Sequence, residues 1–235
     1  MCYPVFGELW FMLGECPDDG YYRGDCCPVC DREGRFLMND RELQALSRII
    51  AGALRHFPEK LGLVMDGNGW VDIRDLLQAL STERAGFSWL RVHHITALVT
   101  TDPRGRYQID GGMIRAKYGH SVNVNLCDLP PAQVDVLFYP VMEEECDLVL
   151  EQGIMPVDRR KVHLSRSIEK AVEAGSVRGD EPLILQVDVN KAQQDGVCIY
   201  QATEEVFITD QVPAEYLSRV DEKKVKQHTG KKPSK

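Results

Sequence analysis

The chain of 235 residues contains no apolar run near the roughly 20 residues that a membrane-spanning helix needs. No such helix is expected. It also lacks both the Walker A sequence and the GxGxxG fingerprint, so a nucleotide would have to be held without a glycine-rich phosphate loop. Positive charge is scarce. Lys and Arg number 28 against 36 Asp and Glu, for a formal net charge of −8. Tight, sequence-blind binding along a duplex draws on many Lys/Arg–phosphate contacts, and this balance argues against it. A few focused phosphate contacts remain compatible with it. The apolar start, Met1 to Leu13, has no basic residue before it and makes a poor secretory signal, so the expected location is cytoplasmic. Internal repeats are absent as well.

What is present fits a folded protein. A hydrophobic content of 43% and a charged content of 27% are ordinary, and the length suits one large domain or two small ones. Five of the eight cysteines, Cys2, Cys16, Cys26, Cys27 and Cys30, lie in the first 30 residues. Without a secretory signal, such clustering points to metal more than to disulfides. Cys27-Pro28-Val29-Cys30 forms a knuckle of the kind that wraps a tetrahedral zinc, and Cys16-Pro17-Asp18-Asp19-Gly20 resembles the opposite knuckle. Cys16, Cys27 and Cys30 are the clear ligands; Asp19, Cys26 or Cys2 could be the fourth. No His lies in this segment to act beside the metal, and the expected role is structural. Cys127, Cys146 and Cys198 are expected to be small buried residues.

Asn39-Asp40-Arg41-Glu42 carries helix-capping chemistry. Leu43, Leu46, Ile49, Ile50, Ala53 and Leu54 then recur at helical spacing, and Arg55-His56 closes the helix before Pro58. Asp66-Gly67-Asn68-Gly69 is turn chemistry, followed by a short strand at Trp70–Ile73 and helices over 74–80 and 89–99. Asp110-Gly111-Gly112 separates a strand at Arg106–Ile109 from another beginning at Met113. Beyond residue 120 short alternating runs predominate, at Val122–Leu126, Val134–Tyr139, Lys161–Leu164, Pro182–Val187, Val197–Tyr200 and Val206–Thr209. Helices over Glu143–Gln152 and Ile168–Ala174 interrupt them. The pattern is α+β, without the regular alternation of a doubly wound sheet. Lys223, Lys224, Lys226, Lys231, Lys232 and Lys235 form a basic tail over 221–235, read as disordered and solubilising, with a weak hold on nucleic acid as the other reading.

Three basic segments stand out against the acidic background: Leu54-Arg55-His56-Phe57-Pro58, Ile114-Arg115-Ala116-Lys117-Tyr118-Gly119-His120-Ser121, and Arg159-Arg160-Lys161-Val162-His163-Leu164-Ser165. Arginine offers a rigid fork of donors matched to phosphate, and histidine can change charge near neutrality. Together they suggest a local site for a multiply phosphorylated ligand. His163 and Ser165, two apart on a strand, would share one face.

In order and spacing these segments resemble the RNA 2′-phosphotransferases, also called tRNA 2′-phosphotransferases. The resemblance runs from Leu46-Ser47 and Ala53–Pro58 through Gly62-Leu63, Asp66-x-x-Gly69-Trp70-Val71, Arg106-Tyr107, Ile114-Arg115-Ala116 and Gly119-His120-Ser121. It continues through Pro130-Pro131, Gly153-Ile154, Arg159 to Ser165, Leu185-x-Val187-Asp188, Val206-x-Ile208-Thr209 and Val212-Pro213. The cysteine-rich start is similar to the zinc-binding extension of archaeal members. Where many members read Tyr-His-Gly-Thr, this chain has Phe138-Tyr139-Pro140-Val141.

The resemblance implies a zinc-binding extension over 1–35, a winged-helix lobe over 36–117 and an ADP-ribosyltransferase-like lobe over 118–220. It also implies a reaction. An RNA 2′-phosphate, as left at a tRNA splice junction, attacks C1″ of the nicotinamide riboside of NAD and expels nicotinamide. The 2″-hydroxyl then attacks phosphorus, giving 2′-hydroxyl RNA and ADP-ribose 1″,2″-cyclic phosphate. The family's Arg-His pair falls on Arg55 and His56, and its further arginines on Arg115 and Arg159. Its dinucleotide-binding positions fall on His120, Ser121, His163 and Ser165, with Val206 where many ADP-ribosyltransferases carry Glu. Expected partners are NAD and an RNA bearing a 2′-phosphate, with no membrane, for a chain acting as a monomer. Two other readings are an ADP-ribosyltransferase of phosphorylated RNA or DNA ends, and a non-catalytic zinc and winged-helix module that binds nucleic acid.

Overall fold

The computed structural model describes residues 12–83, 85–179, 181–221 and 223–225. The chain divides into two compact units, Met1–Lys117 and Tyr118–Lys235, each mixing helices with antiparallel sheet. Among the described residues no helix is long and apolar enough to cross a membrane.

The first unit begins with a small sheet of β1 (Leu13–Cys16), β2 (Gly20–Arg23) and β3 (Arg35–Met38), ordered β2-β1-β3. Helix α1 (Asp40–Arg55) follows, with the capping box formed as its sequence predicts: Asn39 Oδ1 accepts from Glu42 N–H, and a Glu42 carboxylate oxygen accepts from Asn39 N–H. Its apolar stripe, Leu43, Leu46, Ile50, Ala53 and Leu54, is buried, and Ile49 packs at the margin. Leu13, Leu37 and Met38 join the same core, so the cysteine-rich sheet is built onto the helical part. Next come β4 (Val71–Asp72), α2 (Ile73–Glu83), α3 (Val92–Thr100), β5 (Tyr107–Asp110) and β6 (Met113–Ala116), with β4-β6-β5 forming a second three-stranded sheet. The short strand expected through Ile73 ends at Asp72, whose carboxylate accepts from Arg74 N–H and so starts α2. The helix expected from residue 89 begins instead at Val92.

The hairpin between β5 and β6 turns on Gly111 and Gly112 alone, at φ +53° and +85°. Two consecutive positive φ values define the two-residue turn that matches strand twist, and glycine meets that demand at least strain. The turn fixes the register, pairing Gln108 with Arg115 and Tyr107 with Ala116.

The second unit is built on a six-stranded antiparallel sheet ordered β10-β11-β8-β7-β9-β12. Its strands are β7 (Val136–Val141), β8 (Val162–Ser165), β9 (Leu183–Asp188), β10 (Ile199–Gln201), β11 (Val206–Thr209) and β12 (Leu217–Arg219). Helices α4 (Glu143–Gln152), α5 (Ile168–Gly175) and α6 (Val189–Gln194) connect them, and Leu137, Leu164, Val187, Ile199 and Phe207 lie in the core.

Three expectations are corrected in this unit. Residues 122–126 are not a strand. Val124 and Leu126 are buried at alternate positions, but no ladder pairs that backbone, and Asn125 turns back to accept from Cys127 N–H. Of the three isolated cysteines only Cys146 is buried; Cys127 and Cys198 are exposed because they lie outside the ladder, in a turn and just before β10. Residues 223–225 form a helical turn, with Val225 packed against the cluster of Ile168, Ala171, Ile184 and Val220; the tail from 226 on lies outside the described residues.

His94 provides a test of the first unit. It is buried, lies 4.0 Å from the His93 ring and edge-on to Trp89, and its Nδ1 accepts from Arg91 N–H at 3.0 Å. Burial, aided by His93 and Arg35, pushes its pKa down to about 4 from 6.5. The folded state therefore resists a proton that the unfolded chain accepts. Stability should be complete above pH 6.5 and decline as pH falls toward about 4. Thermal unfolding midpoints across that range should fall less steeply for His94→Gln than for the parent chain; parallel curves would refute the assignment.

Candidate active site and metal cluster

Arg55 is the last residue of α1 and His56 its C-cap, with His56 N–H bonded to the Gly52 carbonyl at 2.9 Å. Phe57 N–H reaches the same carbonyl at 3.1 Å, folding the chain back over the helix. That return needs glycine: a Cβ at position 52 would collide with the Phe57 ring. Arg55 is half-buried, and two of its guanidinium nitrogens, Nε and Nη2, are fully shielded. Helix α1 packs on β6, the strand that carries Arg115.

Arg115 is only 2% exposed. Its Nε and Nη2 donate to Gln108 Oε1 at 3.0 and 2.9 Å, and Nη1 lies 3.4 Å from the Asn68 carbonyl. Its guanidinium carbon sits 4.5 Å from the centre of the Trp70 ring. The turn before Trp70 explains that placement. Asp66 Oδ1 accepts from both Asn68 N–H and Trp70 N–H, and Gly69 takes φ +84°.

A second arginine of this unit is structural. Arg106 donates from its side chain and backbone to buried Asp102 and reaches Ser47 Oγ on α1 at 3.0 Å. Burial opposes ionisation of Asp102, but the bonds from Arg106 hold its carboxyl below the usual range.

In the second unit the segment Gly119-His120-Ser121 is gripped by its own backbone. Arg159 Nη1 donates to the Gly119 carbonyl at 2.9 Å, Arg160 N–H to the His120 carbonyl at 3.0 Å, and Arg160 Nε to the Ser121 carbonyl at 3.2 Å. Gly119 N–H donates to His163 Nε2 at 3.1 Å, which assigns the proton of a neutral ring to Nδ1. A small cavity is lined by His120 and His163 together with Tyr118, Arg160, Lys161 and Ile208. Ser165 follows His163 on β8 and pairs with Val206 on one side and Phe138 on the other. The unit thus brings His120, Ser121, Arg159 and His163 together, while Ser165 and Val206 sit further along the sheet. Glu204 and Glu205 lie exposed in the turn before β11.

The cysteine cluster is compact. Cys16, Asp19, Cys27 and Cys30 place one ligand atom each within 4.8 Å of one another. Cys16 and Cys30 sulfurs are 3.6 Å apart, and the Asp19 carboxylate lies 3.3 and 3.2 Å from the Cys16 and Cys27 sulfurs. Metal–sulfur bonds of about 2.3 Å in a tetrahedron separate sulfurs by about 3.8 Å, so the four residues fit such a centre. Of the fourth ligands open in the sequence, Asp19 is the one in the cluster. Cys26 is not among the four, and Cys2 lies outside the described residues. Burial pushes the Cys16 thiol up to about 11, while three thiol hydrogen bonds hold the Asp19 carboxyl low. A dication would reverse the thiol preference by binding the thiolates.

A family model described as RNA 2′-phosphotransferase, Tpt1 / KptA family, matches residues 40–211. The chain belongs to this family. A probable RNA 2′-phosphotransferase of Methanosarcina barkeri is 44% identical over 211 residues, covering 90% of this chain and all of the relative. One from Archaeoglobus fulgidus, named probable RNA 2′-phosphotransferase 1, is 43% identical, covering 87% and 93%. A third, from Thermoplasma acidophilum, is 39% identical, covering 88% of each chain.

Seen as a member of the family, the chain holds its basic residues in two ways. Arg115 meets a side-chain amide and an indole as well as one peptide carbonyl, whereas Arg159 and Arg160 bind peptide carbonyls. Sequence reading did not single out Gln108, although counting back from the Gly111-Gly112 turn places it opposite Arg115. The metal cluster makes a direct prediction. Elemental analysis of purified protein should give a single ion per chain, lost in Cys27→Ser and weakened in Asp19→Asn. Retention of full metal content by Cys27→Ser, or its loss in Cys26→Ser, would reassign the ligands.

Proposed function

We propose that this chain removes the 2′-phosphate from RNA in an NAD-dependent reaction, with a splice-junction tRNA as the natural substrate. Family membership supports the reaction class. The observation that carries the assignment of residues is the buried, oriented guanidinium of Arg115, a donor array suited to a phosphate.

In this reading the first unit is a winged-helix lobe whose Arg55, His56 and Arg115 bind the 2′-phosphate. The second is an ADP-ribosyltransferase-like lobe whose His120, Ser121, His163 and Ser165 hold NAD beside the apolar Val206. The first step forms a bond between a 2′-phosphate oxygen and C1″ and breaks the bond from C1″ to nicotinamide, which leaves as the neutral base. A phosphate dianion approaching a pyrophosphate meets repulsion, and fixed guanidinium groups offset it without reorganising during the reaction. The second step joins the ribose 2″-oxygen to phosphorus and breaks the bond from phosphorus to the RNA 2′-oxygen. His56 would take part in moving the proton from the 2″-hydroxyl to the departing 2′-oxygen. Arg159 would stabilise the charge built up in both steps. The metal is assigned as structural zinc, bound by Cys16, Asp19, Cys27 and Cys30.

The deciding experiment incubates the protein with a 2′-phosphorylated oligoribonucleotide, with and without NAD, and resolves the products by mass. NAD-dependent loss of the phosphate with release of ADP-ribose cyclic phosphate is expected. A persistent ADP-ribosylated RNA would replace this reading with a transferase that stops after the first step. Arg55→Ala and Arg159→Ala should each lower phosphate removal by about 10²–10³-fold in a protein that still folds, with Arg159→Ala losing some thermal stability along with its bond to the Gly119 carbonyl. Wild-type turnover in folded Arg159→Ala would move the role to Arg160 or end it.

A further inference from the structure

Lys117 is the last residue of the first unit, and its side chain is half-buried. On the reading of Arg115 as a phosphate ligand, we infer that Lys117 is a further ligand for the 2′-phosphate, placing a second, mobile positive charge beside Arg115 on one face of the hairpin.

The hairpin accounts for the placement. Lys117 N–H donates to the Arg106 carbonyl at 2.8 Å, carrying the ladder one residue past the pair of Tyr107 and Ala116. Side chains two apart on such a backbone leave the same side, so Lys117 accompanies Arg115. Ile114 and Ala116 point the other way, into the core they share with α1. Among the described residues the Lys117 ammonium makes no hydrogen bond and no ion pair. The carboxylate whose charge reaches it, Asp102, is occupied by Arg106, which donates to it from backbone and side chain.

These surroundings disfavour the ammonium. Loss of water lowers the Lys117 pKa, the neighbouring Arg115 charge lowers it further, and Asp102 only opposes them. A cation that has given up water without gaining a partner is strained until an anion arrives. A phosphate monoester brings nearly two negative charges and three acceptor oxygens. Arg115 is oriented by Gln108 and Asn68, whereas an ammonium on a flexible stem turns its three donors toward whichever oxygens remain. Stability and recognition are therefore opposed at this position. Removing the charge should spare or strengthen the fold and weaken the hold on phosphate, while a lysine kept for packing would move both together.

The deciding measurement is the affinity of the full chain for one oligoribonucleotide bearing either a 2′-phosphate or a 2′-hydroxyl at the same position. It is made over a series of salt concentrations, with thermal unfolding followed on the same samples. Lys117→Met, which keeps most of the apolar stem, should unfold at or above the parent temperature and lose about tenfold of the preference for the 2′-phosphate. Its affinity for the phosphorylated strand should also depend less on salt, with a slope shallower by about 0.7. Lys117→Arg keeps the charge and should keep most of the preference. Equal losses in the two variants, or a fall in unfolding temperature alongside the lost preference in Lys117→Met, would overturn the inference. Arg115→Ala distinguishes this failure from that of the functional reading. If it keeps the preference, Arg115 is not a phosphate ligand and the reading itself fails. If Arg115→Ala loses the preference while Lys117→Met keeps it with an unchanged salt slope, the role given to Lys117 alone is overturned. Should Lys117→Met not fold, Lys117→Gln decides by the same measurement.

Discussion

Taking the Arg115 guanidinium out of water is the constraint from which much of the first unit follows. A charge buried at 2% exposure is costly unless its donors are met and its field is compensated. The fold answers with geometry spread widely along the chain. Asp66 winds the turn that lays Trp70 under the cation, and the Gly111-Gly112 turn sets the register that brings Gln108 across. Helix α1 backs the strand from its buried face. Gln108 and the two glycines reach Arg115 through a short hairpin, whereas Asp66 and Trp70 come from a turn more than forty residues earlier in the chain.

The second unit solves a different problem. It has no glycine-rich loop, and it stiffens an irregular segment against a regular one. Gly119 to Ser121 forms no strand, but its carbonyls accept from Arg159 and Arg160 and its first N–H donates to His163 in the middle of the sheet. Backbone groups outside a ladder must find partners somewhere. Here that requirement links the two basic segments to each other, and the arginines do work in the fold besides any they do on a ligand.

Local chemistry was readable in the sequence to the extent that it was local. The capping box of α1, its apolar stripe, the two-glycine hairpin and the strands at Val206–Thr209 and Val162–Ser165 follow from spacing and residue type, and they stand at or within a residue or two of the expected positions. The Asp19 ligand was open because its choice over Cys26 and Cys2 depends on how β1 and β2 turn. Residues 122–126 misled because burial at alternate positions looks the same with or without a paired strand. Gln108 passed unnoticed for a related reason. A polar residue in a short strand has no meaning until the register names its neighbour.

Register also limits how this chain can vary in length. Arg160 N–H is bonded to the His120 carbonyl, and Val162 is already paired with Thr209 in the sheet, leaving Lys161 alone to join the two anchors. Strand β8 is flanked by β11 and β7, so it cannot slide by one residue without turning His163 and Ser165 to the opposite face. A residue added or removed at this junction therefore has no slack to enter. Insertions between homologues should gather in the exposed connections of the sheet and leave the stretch from Arg159 to Ser165 constant in length, a constraint on spacing that holds whichever side chains occupy it.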